Sequence, residues 1–427
     1  LLLTFDGFPY YKFGLGSTKA LSILPLLAVL FLNVYKIIKR KYKVKEVVEI
    51  LLISTLLGIS YFQGKYVYYD MSEFSASISM FAVYFITIFV FKIFFDFADK
   101  KEILFLLKCI YRSFDISLIY GILELVYFYV IDSDNLYNIL NLFMRDDLYL
   151  LGKRLQFNFS EPGCVGVMII CIYIPTLYML KKLGYKFSKI AKVKIAILFI
   201  LTLFTKSVTY YSMMMLLLIL LFFYNSKSTV KKIIVSILGI FFLIGGYLVI
   251  NSDAFITYSR TSSSRFVKIL ADPNYLNEDT SGQVRVTLWK LSLYGWNDKP
   301  LTGYGWGYFK YALRANYDKL DSKSASNPEM EKKLSLDNQQ TYSIYSTCLV
   351  EGGVLGVIWL IIVLWPCIKN TRGTLKVFLI LLLVSFMQII FVYNVSTIVI
   401  LQIYSNKKLT DFIERKLDNN EKGYMLS

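Results

Sequence analysis

Long apolar runs alternate with short charged links along most of the chain, and one broad polar segment at 251–341 interrupts that rhythm. Runs of 18 or more apolar residues recur, each long enough to cross a ~30 Å hydrocarbon core. They fall at Leu15–Tyr35, Val44–Gln63, Phe74–Phe95, Cys109–Ile131 and Glu161–Leu180. The run Val193–Tyr224 is too long for one straight span and is broken by TKSVTYYS. That break predicts a hairpin of two short helices with Lys206–Tyr211 at its tip. Ile233–Ile250 leads into the polar segment, and Ser343–Cys367 leads back. Val377–Tyr404 is either one tilted span or a hairpin turning near Asn394, and the basic tail that follows favours the hairpin.

The expected fold is therefore an all-α polytopic integral membrane protein, a bundle of about 10–12 transmembrane helices with one large external loop containing short helices. Residues 1–250 form an N-terminal transmembrane bundle, 251–341 the loop, 342–404 the C-terminal transmembrane helices and 405–427 a cytoplasmic tail. Leu1–Leu3 read as the end of a further span that begins before the sequence given. A transmembrane β-barrel would show short alternating segments, and these are absent.

Charge changes the picture only by fixing orientation. The net charge of +17 is carried largely by short links such as Lys36–Lys45 and Lys181–Lys194. Basic links alternate with poorly basic ones, the pattern that keeps positive loops inside, so the 251–341 loop is expected outside. Contact with anionic lipid accounts for these lysines, and no nucleic-acid partner is called for. The chain has no histidine, which removes the commonest general base and metal ligand. Cys109, Cys164, Cys171, Cys348 and Cys367 lie within or at the ends of apolar runs and read as small buried hydrophobes. No residue pattern asks for a metal or cofactor.

Within the loop, Val286, Trp289, Leu293 and Trp296 share one helical face, predicting an aromatic helix over this stretch. Asn327-Pro328 followed by Glu329 and Glu331 reads as a helix start, with a capping side chain and acids near the positive end of the dipole. Gly303, Gly305 and Gly307 allow close backbone approach.

Three features on the expected outer side could carry chemistry. In RLQFNFSEPG, Arg154 precedes Glu161, which stands at the head of a span. Glu161 either caps that helix, with Pro162 in the first turn, or serves as a base or a partner for cationic groups. Arg285 lies in the aromatic loop helix, with Arg260 and Arg265 upstream. It is either solvated or one of several guanidinium groups converging on phosphate oxygens. The third stretch, Asp337–Gly356, contains Glu351 beside paired glycines, an acid at membrane depth that marks function or a tight helix contact. Lys206 and Ser207, at the hairpin tip, face the same side.

In this order the residues resemble the O-antigen polymerase and ligase superfamily. Arg154, Glu161 and Pro162 match its R…E-P motif, with Phe157 where a glycine is common and Gly163 where a small polar residue is common. Lys206-Ser207 matches a basic-serine motif, Arg285, Pro300, Gly303 and Gly305 the central loop motif, and Glu351, Gly353 and Gly356 the closing one. Ligases of this superfamily typically carry His-Asn where this chain has Tyr342-Ser343, which favours the polymerase (Wzy-type) reading.

The resemblance implies a glycosyltransferase of the bacterial cytoplasmic (inner) membrane with its active site facing the exterior. It would move a growing glycan from undecaprenyl diphosphate to the non-reducing end of another undecaprenyl-diphosphate-linked repeat unit. Arg285 and Glu161 are then the catalytic candidates, as diphosphate stabiliser and base. Arg154, Lys206, Arg260, Arg265, Gly303, Gly305, Asp337 and Tyr342 are candidates for binding diphosphate or glycan, Asp337 being also the second choice of base. Membrane lipids and a chain-length regulator are the partners implied. A ligase-like transferase, a flippase of lipid-linked oligosaccharide and a non-catalytic scaffold are the rivals.

Overall fold

The computed structural model describes residues 8–9, 18–19, 22–40, 42–131, 133–142, 153–225, 268, 280–335 and 341–414. The expectations for Leu1–Leu3, Ile233–Ile250, Arg260, Arg265 and Asp337 lie outside the described residues. Among the described residues the regular structure is helical, apart from a two-residue antiparallel pairing of Phe8–Pro9 with Thr18–Lys19.

The first part comprises α1 (Ile23–Leu32), α2 (Val34–Lys39), α3 (Val44–Phe62), α4 (Ser72–Phe97), α5 (Lys100–Tyr129) and α6 (Asp134–Leu142). It continues with α7 (Pro162–Met168), α8 (Ile174–Lys182), α9 (Lys189–Leu203) and α10 (Val208–Asn225). A π-helical turn at Ile169–Tyr173 joins α7 to α8 without a break. The polar segment contributes α11 (Thr280–Asp298), α12 (Phe309–Asn316), α13 (Ser322–Ala325) and α14 (Pro328–Ser335). The last part comprises α15 (Ile344–Val350), α16 (Gly353–Asn370), α17 (Gly373–Ser385), α18 (Val395–Ser405) and α19 (Lys407–Glu414).

Among the described residues, Val44–Tyr68, Ser72–Phe97, Pro162–Lys182 and Gly353–Asn370 are long and apolar enough to span a bilayer. Ile23–Leu32, Val208–Tyr224, Gly373–Ser385 and Val395–Ser405 are shorter apolar helices. The protein is a multi-pass helical membrane protein.

Hydrogen bonds and ion pairs group the turns into two sets, at two ends of the bundle. One end gathers the turns after α3, α9 and α17 together with the 280–335 segment; we call it the loop end. The other gathers the basic links. There Arg40 pairs with Glu46 and Asp96, and Lys92 with Glu46 and Glu49. Each charge is neutralised at short range, as burial at the edge of a bundle requires.

Several expectations shift by physical detail. α5 starts at Lys100, earlier than the apolar run, because Asp99 and Glu102 cap it reciprocally. The hairpin between α9 and α10 turns at Phe204–Ser207; Tyr210 and Tyr211 are already helical. Ser343–Cys367 is two helices, since Glu351 and Gly352 break it between α15 and α16. Val377–Tyr404 is the hairpin, turning through Phe391–Tyr393. The start of the tail docks: Leu409 and Ile413 are buried, and Glu414 accepts from Leu375 N at 2.9 Å and Tyr178 Oη at 3.1 Å.

The 280–335 segment has a core of its own, formed by Val284, Leu288, Leu291, Phe309, Leu313 and Met330 with Val350 of α15. The expected helix forms as α11, and the face it buries is not the aromatic one. Val286 and Leu293 are exposed, while Val284, Thr287, Leu288, Leu291, Ser292 and Gly295 are buried. Both stripes have helical spacing, but the second carries small side chains that let α12 and α15 come close. A Cβ on Gly295 would stand 2.7 Å from Val350 Cγ2. The helix start at Pro328 is as expected, with Asn327 Oδ1 accepting from Glu329 N at 2.9 Å.

Candidate active site at the loop end of the bundle

Two turns, one helix and the residues before α15, all from distant parts of the sequence, meet at the loop end. The 153–161 turn precedes α7, the 204–207 turn joins α9 to α10, α11 crosses above them, and Tyr342 precedes α15. Leu155 N donates to Phe204 O at 3.2 Å and Arg154 Nε to Thr205 O at 3.0 Å, so the first two turns are stitched together. Ser207 caps α10 by accepting from Tyr210 N at 3.3 Å, which leaves the half-buried Lys206 in a left-handed conformation. A Cβ on Gly163 would come within 4.0 Å of Ser207 Oγ and 3.9 Å of Thr209 Oγ1. The start of α7 and the start of α10 therefore lie against one another.

Glu161 and Arg285 meet in this setting. Glu161 is the N-cap residue of α7 by backbone geometry, yet its side chain makes no cap hydrogen bond. Its carboxylate lies 3.9 Å from Arg285 Nη2. The guanidinium of Arg285 also sits over the Tyr342 ring, 5.5 Å from the centroid, within range of a cation–π attraction. Both partners of the ion pair are partly open, at 34% exposure for Arg285 and 49% for Glu161. At that distance and exposure the pair adds little to stability. Each charge remains available to something that enters.

The structure thus brings together Arg285, Glu161 and Tyr342, and it joins Arg154 and Lys206 to them through the 204–207 turn. It gives Gly303 and Gly305 different neighbours. Tyr304 N donates to Val350 O and Gly305 N to Glu351 O, both at 2.9 Å, and Val354 N to Pro300 O at 2.8 Å. Gly303 has φ +64°, and a Cβ there would collide with the Glu351 carbonyl. The buried Glu351 carboxylate accepts from Gly307 N at 2.8 Å. The glycine loop and the α15–α16 break are one interlocked unit, which explains why both stretches read as special in sequence.

That unit is riveted to α3 and α4. Trp306 is buried, with its N–H donating to Ser60 Oγ at 2.6 Å and its carbonyl accepting from Ser77 Oγ at 2.7 Å. Its ring packs against Phe81 and Trp359 at 4.9 and 5.5 Å. Lys310 reaches down to Asp70 and to Glu73, the latter at 3.4 Å. Burial works to raise the Asp70 carboxyl, but Lys310 and two bonds from Ser72 outweigh it and hold it well below the usual carboxylate range. Burial likewise works to lower the Lys310 ammonium, and the same two acids raise it instead. This anchor ties α12, which shares a core with α11, to the turn between α3 and α4.

Two polar residues at the site escaped the sequence reading. Gln388, in the turn after α17, accepts from Thr209 Oγ1 at 2.9 Å. Glu124, wholly buried in α5, accepts from Gln156 N and Phe157 N at 3.0 and 2.9 Å. Each is a lone polar residue inside an apolar run, and that signal could have found both.

Residues 195–361 match the family described as O-Antigen ligase. The matched stretch holds Lys206, Ser207, Arg285, the glycine loop, Tyr342 and Glu351, while Arg154 and Glu161 precede it. No curated protein matches the chain. The family match supports the O-antigen polymerase/ligase superfamily, and with it a membrane enzyme that processes glycans.

Proposed function

We propose that this protein is a polysaccharide polymerase. It transfers a growing glycan from undecaprenyl diphosphate to the non-reducing hydroxyl of another undecaprenyl-diphosphate-linked repeat unit, at the outer face of the bacterial cytoplasmic membrane. The observation that carries this reading is the loose pairing of Arg285 with Glu161 beneath α11, with Arg154 and Lys206 on the adjoining turns.

The chemistry follows from that pairing. The acceptor oxygen attacks the anomeric carbon as the bond from that carbon to the diphosphate oxygen breaks. The leaving diphosphate takes the electron pair, and negative charge grows there most. A guanidinium fixed beside that oxygen stabilises the transition state more than the ground state. Arg285 is the principal such group, because its planar fork matches phosphate oxygens and Tyr342 restricts its plane. Arg154 and Lys206 supply further positive charge. A diphosphate bound to Arg285 replaces the carboxylate at 3.9 Å and frees Glu161 to take the proton of the acceptor hydroxyl. Arg260, Arg265 and Asp337 remain candidates on the same loop, and a chain-length regulator is the expected protein partner.

A ligase-type transfer is the second reading, favoured by the description of the matching family. The absence of histidine weighs against it. Purified protein in proteoliposomes, given undecaprenyl-diphosphate-linked repeat units, separates the two. A ladder of longer glycans is expected. A single transfer to an added lipid acceptor without a ladder would replace the polymerase by the ligase, and movement of substrate across the bilayer without lengthening would replace both by a flippase.

A further inference from the structure

We propose that Glu124 is a positioning residue, whose buried carboxylate holds the 153–161 turn in the shape that presents Arg154 and Glu161 to Arg285. The side chain is fully buried within α5 and faces the turn rather than another charge. A single oxygen, Oε2, accepts from both Gln156 N at 3.0 Å and Phe157 N at 2.9 Å, while Oε1 has no hydrogen-bond partner. An acid kept in an apolar run at this cost has a specific task, and here the task is visible.

The turn needs such a clamp. Phe157 has φ +55°, a left-handed conformation that a phenylalanine adopts only under constraint. Its ring fills a hollow above Gly121, where an added Cβ would lie 2.5 Å from Cε1. Gly121 and Glu124 are three residues apart on one face of α5, so a single helical turn supplies both the hollow and the clamp. Lys153 Nζ donates to Phe128 O at 2.9 Å and Ser117 Oγ to Asn158 Oδ1 at 2.7 Å, fixing the turn on either side of Phe157. Two hydrogen bonds to a charged or strongly polar oxygen outweigh the strain of one left-handed residue. Arg154 lies two residues before the clamped pair and Glu161 four after it, so the clamp sets the separation of both from Arg285.

The activity arm of the test rests on the proposed function, and the exchange arm does not. Full-length Glu124→Ala, Glu124→Gln and Glu124→Asp are compared with wild type in nanodiscs. In Glu124→Ala, hydrogen exchange at the Gln156 and Phe157 amides is expected to rise about tenfold or more while α7 and α10 keep their protection. The kcat for glycan extension falls about tenfold to a hundredfold, with KM within about threefold, because the loss is one of alignment. Glu124→Gln, which keeps one carbonyl oxygen in place, restores exchange and kcat, and Glu124→Asp falls between. Unchanged exchange at Gln156 and Phe157 in Glu124→Ala, or loosening spread over the whole bundle, would overturn the clamp. Loosened exchange with full kcat would overturn its role in the site. If wild type itself extends no glycan, the proposed function is at fault, and exchange alone decides for or against the clamp. Should Glu124→Ala fail to insert, the ordering of wild type, Gln and Asp decides.

Discussion

Glu161 occupies the N-cap position of α7 without capping it, and its carboxylate instead faces the Arg285 guanidinium at 3.9 Å. A residue in that backbone position ordinarily spends its side chain on the first free N–H groups of the helix. Pro162 at the first turn removes one of those groups, which lowers the demand for a cap. The carboxylate is thereby free of cap duty and faces Arg285 instead.

Glu161→Gln should therefore leave stability almost untouched while removing a proton acceptor. The expected change in unfolding free energy is below about 1 kcal/mol, since an open pair at this distance contributes no more. Glycan extension should fall about 10²–10⁴-fold, the usual worth of a positioned base. The check is thermal unfolding in detergent beside rates in proteoliposomes. Full activity in Glu161→Gln would end its assignment as the base.

Arg285→Ala should remove the largest electrostatic contribution to diphosphate departure. Losing one such donor costs about 2.7–4 kcal/mol of barrier, or about 10²–10³ in kcat. Arg285→Lys should recover only part, because a point charge cannot grip two oxygens or lie flat on Tyr342. Insertion and folding should be normal in both, as the guanidinium is a third exposed. Wild-type polymer length in Arg285→Ala would remove the core of the mechanism.

The helical bundle was legible in the sequence, and the packing of the loop less so. Runs of membrane length and clustered lysines are one-dimensional signals, so α3, α4 and the hairpin at 204–207 were legible. Which side of α11 is buried was not. Val286 and Leu293 look like core by hydrophobicity, yet Ser292 and Gly295 face the neighbours because close helix approach rewards small residues. Near a membrane, an exposed apolar stripe has lipid to meet, so the usual penalty that makes periodicity decisive is weak. The Arg285–Glu161 meeting was reachable only through motif order, since more than a hundred residues separate them. Glu124 was missed because it reads as an isolated defect in a span until the turn it clamps is seen.

Gly303→Ala tests whether the glycine loop is structural. A left-handed φ disfavours any side chain, and here the added carbon also meets the Glu351 backbone, which cannot swing away. The expected destabilisation is about 2–4 kcal/mol, the sum of backbone strain and a forced shift in a packed unit. The drop should appear as a lower unfolding temperature and a smaller yield of folded protein. Activity per folded molecule should change far less than in Arg285→Ala. An unchanged unfolding temperature would mean that the loop yields freely, against its interlock with the α15–α16 break.

The Asp70–Lys310 anchor should give stability a specific pH dependence. The folded-state carboxyl of Asp70 is depressed, so its contribution is complete above the unfolded value near ~3.9 and is lost as pH falls toward the folded value. Lys310 is raised, so its contribution is complete below ~10.4 and is lost as pH climbs through the folded value. Between those limits the anchor is at full strength. Asp70→Asn should cost about 2 kcal/mol at neutral pH, less than the ~3–5 of a fully orphaned buried charge, because Glu73 still stands 3.4 Å from Lys310. The difference in unfolding temperature between wild type and Asp70→Asn should be flat from about pH 5 to pH 9 and shrink below about pH 4. A difference that grew on acidification would reverse the sign of the linkage and show that Asp70 is held protonated, which the Lys310 pairing opposes.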